Sequence, residues 1–160
     1  MQKRFYIAYG SNLNRAHMNT CCPSARIVGC SVLEGWKLLF KKSKSEAYLS
    51  IEPDEGSSVP VGVWEVSAAD ECALDIYEAY PELYYKKDLI LKINDIESGE
   101  PRRCEAFVYI MNEGHPAGIP SREYMDVCIE GYDDFGFDKT FLERAYAESE
   151  AILNDHSMSL

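Results

Sequence analysis

Phe5-Tyr6-Ile7-Ala8-Tyr9-Gly10-Ser11-Asn12-Leu13 is the stretch on which the reading of this chain turns. Its first four residues are an apolar, β-like run, and Gly10 ends that run in a polar turn. A strand that stops at a glycine leaves the following amides without ladder partners, so they can form a concave nest for an anionic or oxyanionic group. The plainer reading is a strand end with Asn12 capping the next helix. Residues further along the chain decide between the two.

Similar apolar and β-branched runs recur at 4–9, 26–33, 36–40, 47–52, 59–66, 85–93 and 103–111, and each reads as a strand or strand fragment. Ser67-Ala68-Ala69-Asp70 carries an S-x-x-D capping signal. Ala69, Cys72, Ala73, Ile76 and Tyr77 then fall on one face at helical spacing, which predicts a helix ending at Tyr77 or Glu78 before Pro81. Asn94 to Arg103, with Gly99 and Pro101, reads as a polar hairpin connection. Beyond Met111 the turn-rich segment 112–120 is a loop, Ser121 caps a helix over 122–131, and Asp138 opens another with Phe141, Leu142, Ala145, Tyr146, Ile152 and Leu153 as its apolar stripe. Strands first and helices last, with no repeat and no long linker, predict one α+β domain over residues 1–160. Short strands with few crossover helices favour a mostly antiparallel, barrel-like sheet with flanking helices.

The 160 residues carry 16 Lys+Arg against 27 Asp+Glu, a formal charge of −11, which argues against a nucleic-acid backbone or an anionic membrane as partner. No apolar run approaches the roughly 20 residues that span a bilayer, and the first residues turn polar before a signal-peptide core could form. A cytoplasmic protein with a small-molecule or protein partner is expected. Cys21, Cys22, Cys30, Cys72, Cys104 and Cys128 show no C-x-x-C spacing and no nearby His, so they read as reduced thiols and no metal site is expected.

Leu74-Asp75-Ile76-Tyr77-Glu78-Ala79-Tyr80-Pro81 is the second informative segment. Glu78 falls at a helix C-terminus, where unsatisfied carbonyls disfavour an ionised carboxylate, and Ile76, Tyr77, Tyr80 and Leu83 withhold water. Both effects raise its pKa toward neutrality, which suits a one-residue general acid/base; the bland alternative is a solvated helix end. Asp75 and Glu78 share a helical face, but no third oxygen ligand or sugar platform supports a cation site or a glycosidase dyad. Asp134-Phe135-Gly136 lacks every other element of a kinase and is fortuitous, and Ser11 lacks a nucleophile-elbow context. His17, His115 and His156 have no paired spacing, although His115 in its Pro/Gly loop could approach a site. Tyr9, Tyr85, Tyr109 and Tyr124 stand where a pocket could gather, each a rigid wall with one hydrogen-bonding tip or else a core residue with its hydroxyl at the surface.

The order strand, Tyr9-Gly10-Ser11-Asn12-Leu13, then Val61-Gly62-Val63-Trp64-Glu65-Val66, then Leu74-Asp75-x-x-Glu78, then Tyr85 and a strand, resembles the γ-glutamylcyclotransferase family over most of the chain. The resemblance implies a small mixed barrel with flanking helices, free of cofactor and metal. It implies release of 5-oxoproline from a γ-glutamyl amino acid or amide, a small-molecule substrate. It places Glu78 as the catalytic glutamate, Tyr9, Gly10, Ser11, Asn12 and Leu13 as the substrate-cradling turn, and Tyr85, Tyr109 and Tyr124 near the pocket. Ala79 stands where the family commonly has Gly. A homodimer is an expectation of the resemblance alone. Family members that remove a γ-glutamyl protecting group from an amine are a variant of this activity. A catalytically silent binding module, or an acidic face docking a basic partner, are readings of other classes.

Overall fold

The computed structural model describes residues 3–158. Strand β1 (Arg4–Ala8) leads through a 3-10 turn (Ser11–Leu13) into α1 (Arg15–Cys21). Then come β2 (Arg26–Ser43), β3 (Glu46–Val66), α2 (Ala68–Tyr77), β4 (Tyr84–Asp95), β5 (Pro101–Met111), α3 (Arg122–Phe135) and α4 (Thr140–Met158). The five strands close a barrel in the order β1-β3-β2-β4-β5. Neighbours run antiparallel except β1 and β5, which run parallel with Tyr6 opposite Phe107 and Ile7 opposite Val108. That one parallel pair makes the barrel mixed. Tyr6, Ile7 and Ala8 are buried in succession, so β1 is covered on both faces and needs no polar alternation.

The seven apolar runs of the sequence condense into five strands. Runs 26–33 and 36–40 are halves of β2, continuous through a bulge at which Gly35 takes φ +80°. Runs 47–52 and 59–66 are likewise halves of β3, where Pro53 faces Trp36 and Ser58 faces Glu34 while the residues between loop outward. A bulge breaks the period-two pattern without ending the strand, so local sequence reads it as a gap. The expected 94–103 connection is shorter, because Asp95 turns the chain by accepting from the amides of Glu97 (2.9 Å) and Ser98 (3.1 Å).

The predicted capping of α2 is present in both directions: the Asp70 amide donates to Ser67 Oγ at 3.1 Å and the Ser67 amide to Asp70 Oδ2 at 3.0 Å. Helix α1 is capped by Asn14, whose Oδ1 accepts from the His17 amide at 3.0 Å, and not by Asn12. Helix α3 starts on Ser121 as expected but runs past 131 to Phe135, where Gly136 at φ +70° stops it. Asp134-Phe135-Gly136 is therefore a helix end, with Phe135 edge-on to Trp64 at 6.2 Å. In α4, Leu142 and Ala145 are buried, whereas Ile152 is 38% exposed, so the apolar stripe loses the barrel toward its end. All these elements surround one apolar core. All six cysteines are free thiols. Among the described residues, no helix is long and apolar enough to cross a membrane.

Candidate active site

The end of β1 builds one wall of the site. Leu13 N–H donates to the Gly10 carbonyl (3.0 Å) and Asn14 N–H to that of Ser11 (3.1 Å), which closes the 3-10 turn. The N–H groups of Gly10, Ser11 and Asn12 have no protein acceptor among the described residues and remain free for a bound group. A Cβ on Gly10 would lie 3.0 Å from Leu49 Cδ1 and 3.5 Å from the Tyr124 hydroxyl, so close approach sets the glycine there. Two braces hold the turn. Trp64 Nε1 donates to the Asn12 carbonyl at 3.0 Å. Helix α3 packs so tightly that a Cβ on Gly131 would stand 2.7 Å from the Asn14 amide nitrogen.

The end of α2 builds the facing wall. Glu78 N–H closes the last helical turn on Leu74 (2.8 Å), Ala79 N–H donates to Ile76 (3.1 Å) and Tyr80 N–H to Asp75 (2.9 Å). This paired closure requires a left-handed residue at position 79, and Ala79 adopts φ +50°. The backbone shape that glycine takes readily is thus reached by alanine, at a cost of roughly 1 kcal/mol. The consequence is a chain reversal just past Glu78 that leaves its side chain projecting from the helix end.

Between these walls lies a cavity of about 750 Å³. Its lining includes Tyr6, Tyr9, Asn12, Tyr77, Glu78 and Tyr84, and its mouth is formed by the β2–β3 turn, Glu82 and His115. Asn12 Nδ2 donates to the Tyr6 hydroxyl at 2.8 Å and reaches Glu78 Oε1 at 3.4 Å. Asn12 Oδ1 is buried without a protein partner. Glu78 is half-buried, with part of its surface on the cavity, and burial pushes its pKa up to about 8. Tyr6 and Tyr9 are held well above the usual phenol value, first by burial and then by the neighbouring Glu78 charge, so both stay neutral. Burial likewise pushes Tyr77 up to about 12, and its hydroxyl lies 3.1 Å from Ser11 Oγ.

Of the residues singled out from sequence, the structure gathers Tyr9, Gly10, Ser11, Asn12, Glu78, Tyr109 and Tyr124 around this cavity. Leu13 is fully buried in the core and its amide is spent on the turn, so the available donors are residues 10–12. Tyr85 is 39% exposed and lies outside the cavity. Its neighbour Tyr84 takes that place, with its hydroxyl on the Leu49 carbonyl at 2.9 Å, because successive side chains of β4 point to opposite faces. Asp75 and Glu78 diverge: Asp75 accepts from the Tyr109 hydroxyl at 2.6 Å and Glu78 faces the cavity. Tyr6 carried no signal beyond being aromatic, and Tyr77, read from sequence only as a neighbour shielding Glu78, also lines the cavity. Among the described residues, no group of three or more His, Cys, Asp or Glu is spaced to hold a metal ion.

A small mixed barrel that sets a desolvated carboxyl against a glycine turn with free amides defines the class of protein. The family model for gamma-glutamyl cyclotransferase, AIG2-like, matches residues 6–126, and the chain belongs to that family. A solved structure named gamma-glutamyl cyclotransferase is similar at 21% identity and a TM-score of 0.75, over 96% of this chain and 99% of that one. An uncharacterized protein from Homo sapiens is similar at 21% identity and a TM-score of 0.74, over the same shares of the two chains. A yeast gamma-glutamyl cyclotransferase specific to glutathione shares the fold at 8% identity and a TM-score of 0.60, over 94% of this chain and 97% of that one. No curated protein sequence matches.

Proposed function

We infer that the protein is a γ-glutamylcyclotransferase that releases 5-oxoproline from a γ-glutamyl amino acid or amide, with Glu78 as general acid/base. The observation that carries this reading is the juxtaposition across one cavity of the Glu78 carboxyl, raised to about 8, and the free amides of residues 10–12. In a γ-glutamyl amide the α-amine and the γ-carbonyl belong to one molecule, and holding it folded supplies an effective molarity of order 10⁵ M or more. The protein then needs no nucleophile of its own.

Glu78 in its ionised form accepts a proton from the α-ammonium group, freeing the amine to attack the γ-carbonyl and close the five-membered ring. The N–H groups of Gly10, Ser11 and Asn12 are donors for the developing oxyanion or the α-carboxylate, in a site whose tyrosines exclude water. Protonated Glu78 returns its proton to the departing amine as the C–N bond breaks. The regenerated carboxylate then takes the second proton from the ring nitrogen and passes it to the amine product. Two protons thus leave the α-nitrogen, two reach the departing amine, and the residue ends as it began.

Incubation with a panel of γ-glutamyl amino acids, γ-glutamyl amines and glutathione, with assay of 5-oxoproline, tests the reading. Release from at least one member supports it, and Glu78→Gln is expected to lower that turnover by roughly several hundredfold. Ligand binding without 5-oxoproline release would instead identify a silent binding module, and near-normal turnover by Glu78→Gln would end the assignment.

A further inference from the structure

Asp75 lies three residues before Glu78, yet its carboxylate is turned onto the barrel. Its Oδ1 accepts from the Tyr109 hydroxyl at 2.6 Å and lies 2.8 Å from Lys86 Nζ. The Lys86 ammonium also lies 2.6 Å from Glu71 Oε2 and stands 4.4 Å from the centre of the Tyr80 ring. Through its side chain Asp75 is thus bound to β4 and β5. Through its carbonyl, which accepts from the Tyr80 amide at 2.9 Å, it is bound to the turn that contains Glu78.

The connection continues on the other side. The Tyr109 carbonyl accepts from the Tyr9 hydroxyl at 2.8 Å, and Tyr9 precedes the glycine turn. A continuous path of short contacts therefore runs from the Glu78 turn through Asp75, Tyr109 and Tyr9 to Gly10. It joins the two walls of the cavity. Arg4, 2.8 Å from Glu71 Oε2, shares that carboxylate with Lys86 and so belongs to the same network, whereas the Ser67–Asp70 cap holds the first turn of α2 without a hydrogen bond to Lys86 or Tyr109.

We propose that Asp75 is a positioning residue: held by Lys86 and Tyr109, it fixes the C-terminal turn of α2 against β4 and β5 and so sets the distance between Glu78 and the Gly10–Asn12 amides. This rests on the reading of those two walls as one active site. Displacing a reacting group by about 1 Å can cost on the order of a hundredfold in rate, so a rigid link between the walls has a direct catalytic consequence.

The test compares wild type, Tyr109→Phe, Asp75→Asn and Ser67→Ala by two readouts, NMR titration of the Glu78 carboxyl and the kinetics of 5-oxoproline release. Tyr109→Phe cuts the link while keeping the ring and every charge, so a change in Glu78 titration there reports position and solvation alone. Tyr109→Phe and Asp75→Asn are both expected to move Glu78 toward the ordinary carboxylate range as water gains access. They should lower kcat by about tenfold or more with KM changed by less than about threefold. Ser67→Ala, which loosens the first turn of the same helix outside this network, should change neither readout. Unchanged Glu78 titration in Tyr109→Phe, or an equal effect of Ser67→Ala, would overturn the proposal. If titration responds as expected while wild type releases no 5-oxoproline, the positioning role stands and the assigned activity falls.

Discussion

Glu78→Gln should make the protein more stable, and increasingly so as pH rises. Burial lifts the Glu78 pKa from an ordinary 4.5 to about 8. Below the lower value the carboxyl is protonated in both folded and unfolded chains, and it contributes no pH dependence. Between the two values the unfolded chain ionises while the folded one keeps the proton, so stability is lost as pH rises; above about 8 the loss is complete. The linkage amounts to roughly 1 kcal/mol at pH 5, 3 kcal/mol at pH 7 and 5 kcal/mol at pH 9, upper figures because a half-buried carboxyl can gain water by local relaxation. Glutamine carries no such penalty, and every other titrating group is common to both proteins. Urea unfolding of wild type and Glu78→Gln at each pH, followed by circular dichroism, gives the gap directly. It should widen by at least about 1.5 kcal/mol from pH 5 to pH 9. A gap constant to within about 0.5 kcal/mol would refute the claim that this carboxyl is desolvated.

The same desolvation fixes the expected pH profile: kcat/KM for 5-oxoproline release should rise with pH through about 8, as Glu78 loses its proton and becomes the base, and a flat profile down to pH 6 would contradict it. Gly62→Ala should destabilise the fold by about 1–3 kcal/mol in denaturant titration, because the added Cβ would stand 2.4 Å from the Phe135 ring and 2.8 Å from Leu13 Cδ2. Ala79→Gly should raise the thermal midpoint, with a gain of about 1 kcal/mol or less, since it relieves a left-handed alanine at φ +50° while loosening the unfolded chain.

Features held within a few consecutive residues were legible in the chain. The Ser67–Asp70 cap is an example: its two hydrogen bonds span three residues, and the pattern needs nothing distant to form. The helix end at position 78 was legible for a similar reason, but its desolvation was not: Ile76 and Tyr80 are exposed, and the cavity around the carboxyl is lined instead by Tyr6, Tyr9 and Tyr84 from elsewhere in the fold. Tyr85 was misplaced and Tyr84 overlooked because the two are adjacent and equally aromatic. Only the pairing of β4 with β5, which sets Tyr84 opposite Met111, decides which of them faces inward. The bulges that join the split runs of β2 and β3 were hidden for a related reason. A bulge is defined by what the partner strand does opposite it.

By itself, then, the sequence determined where the apolar runs and the three later helices fall, the glycine turn after β1 and the carboxyl at the end of α2, since each follows from short-range hydrogen bonding and local patterning. The tertiary structure alone decided that the turn and the carboxyl share one cavity, that Asp75 is turned away to Lys86 and Tyr109, and that Leu13 belongs to the core. These depend on closure of the barrel through the parallel pairing of β1 with β5, which brings together residues about a hundred positions apart. No local preference encodes a contact of that range; it is selected by the burial of the shared core.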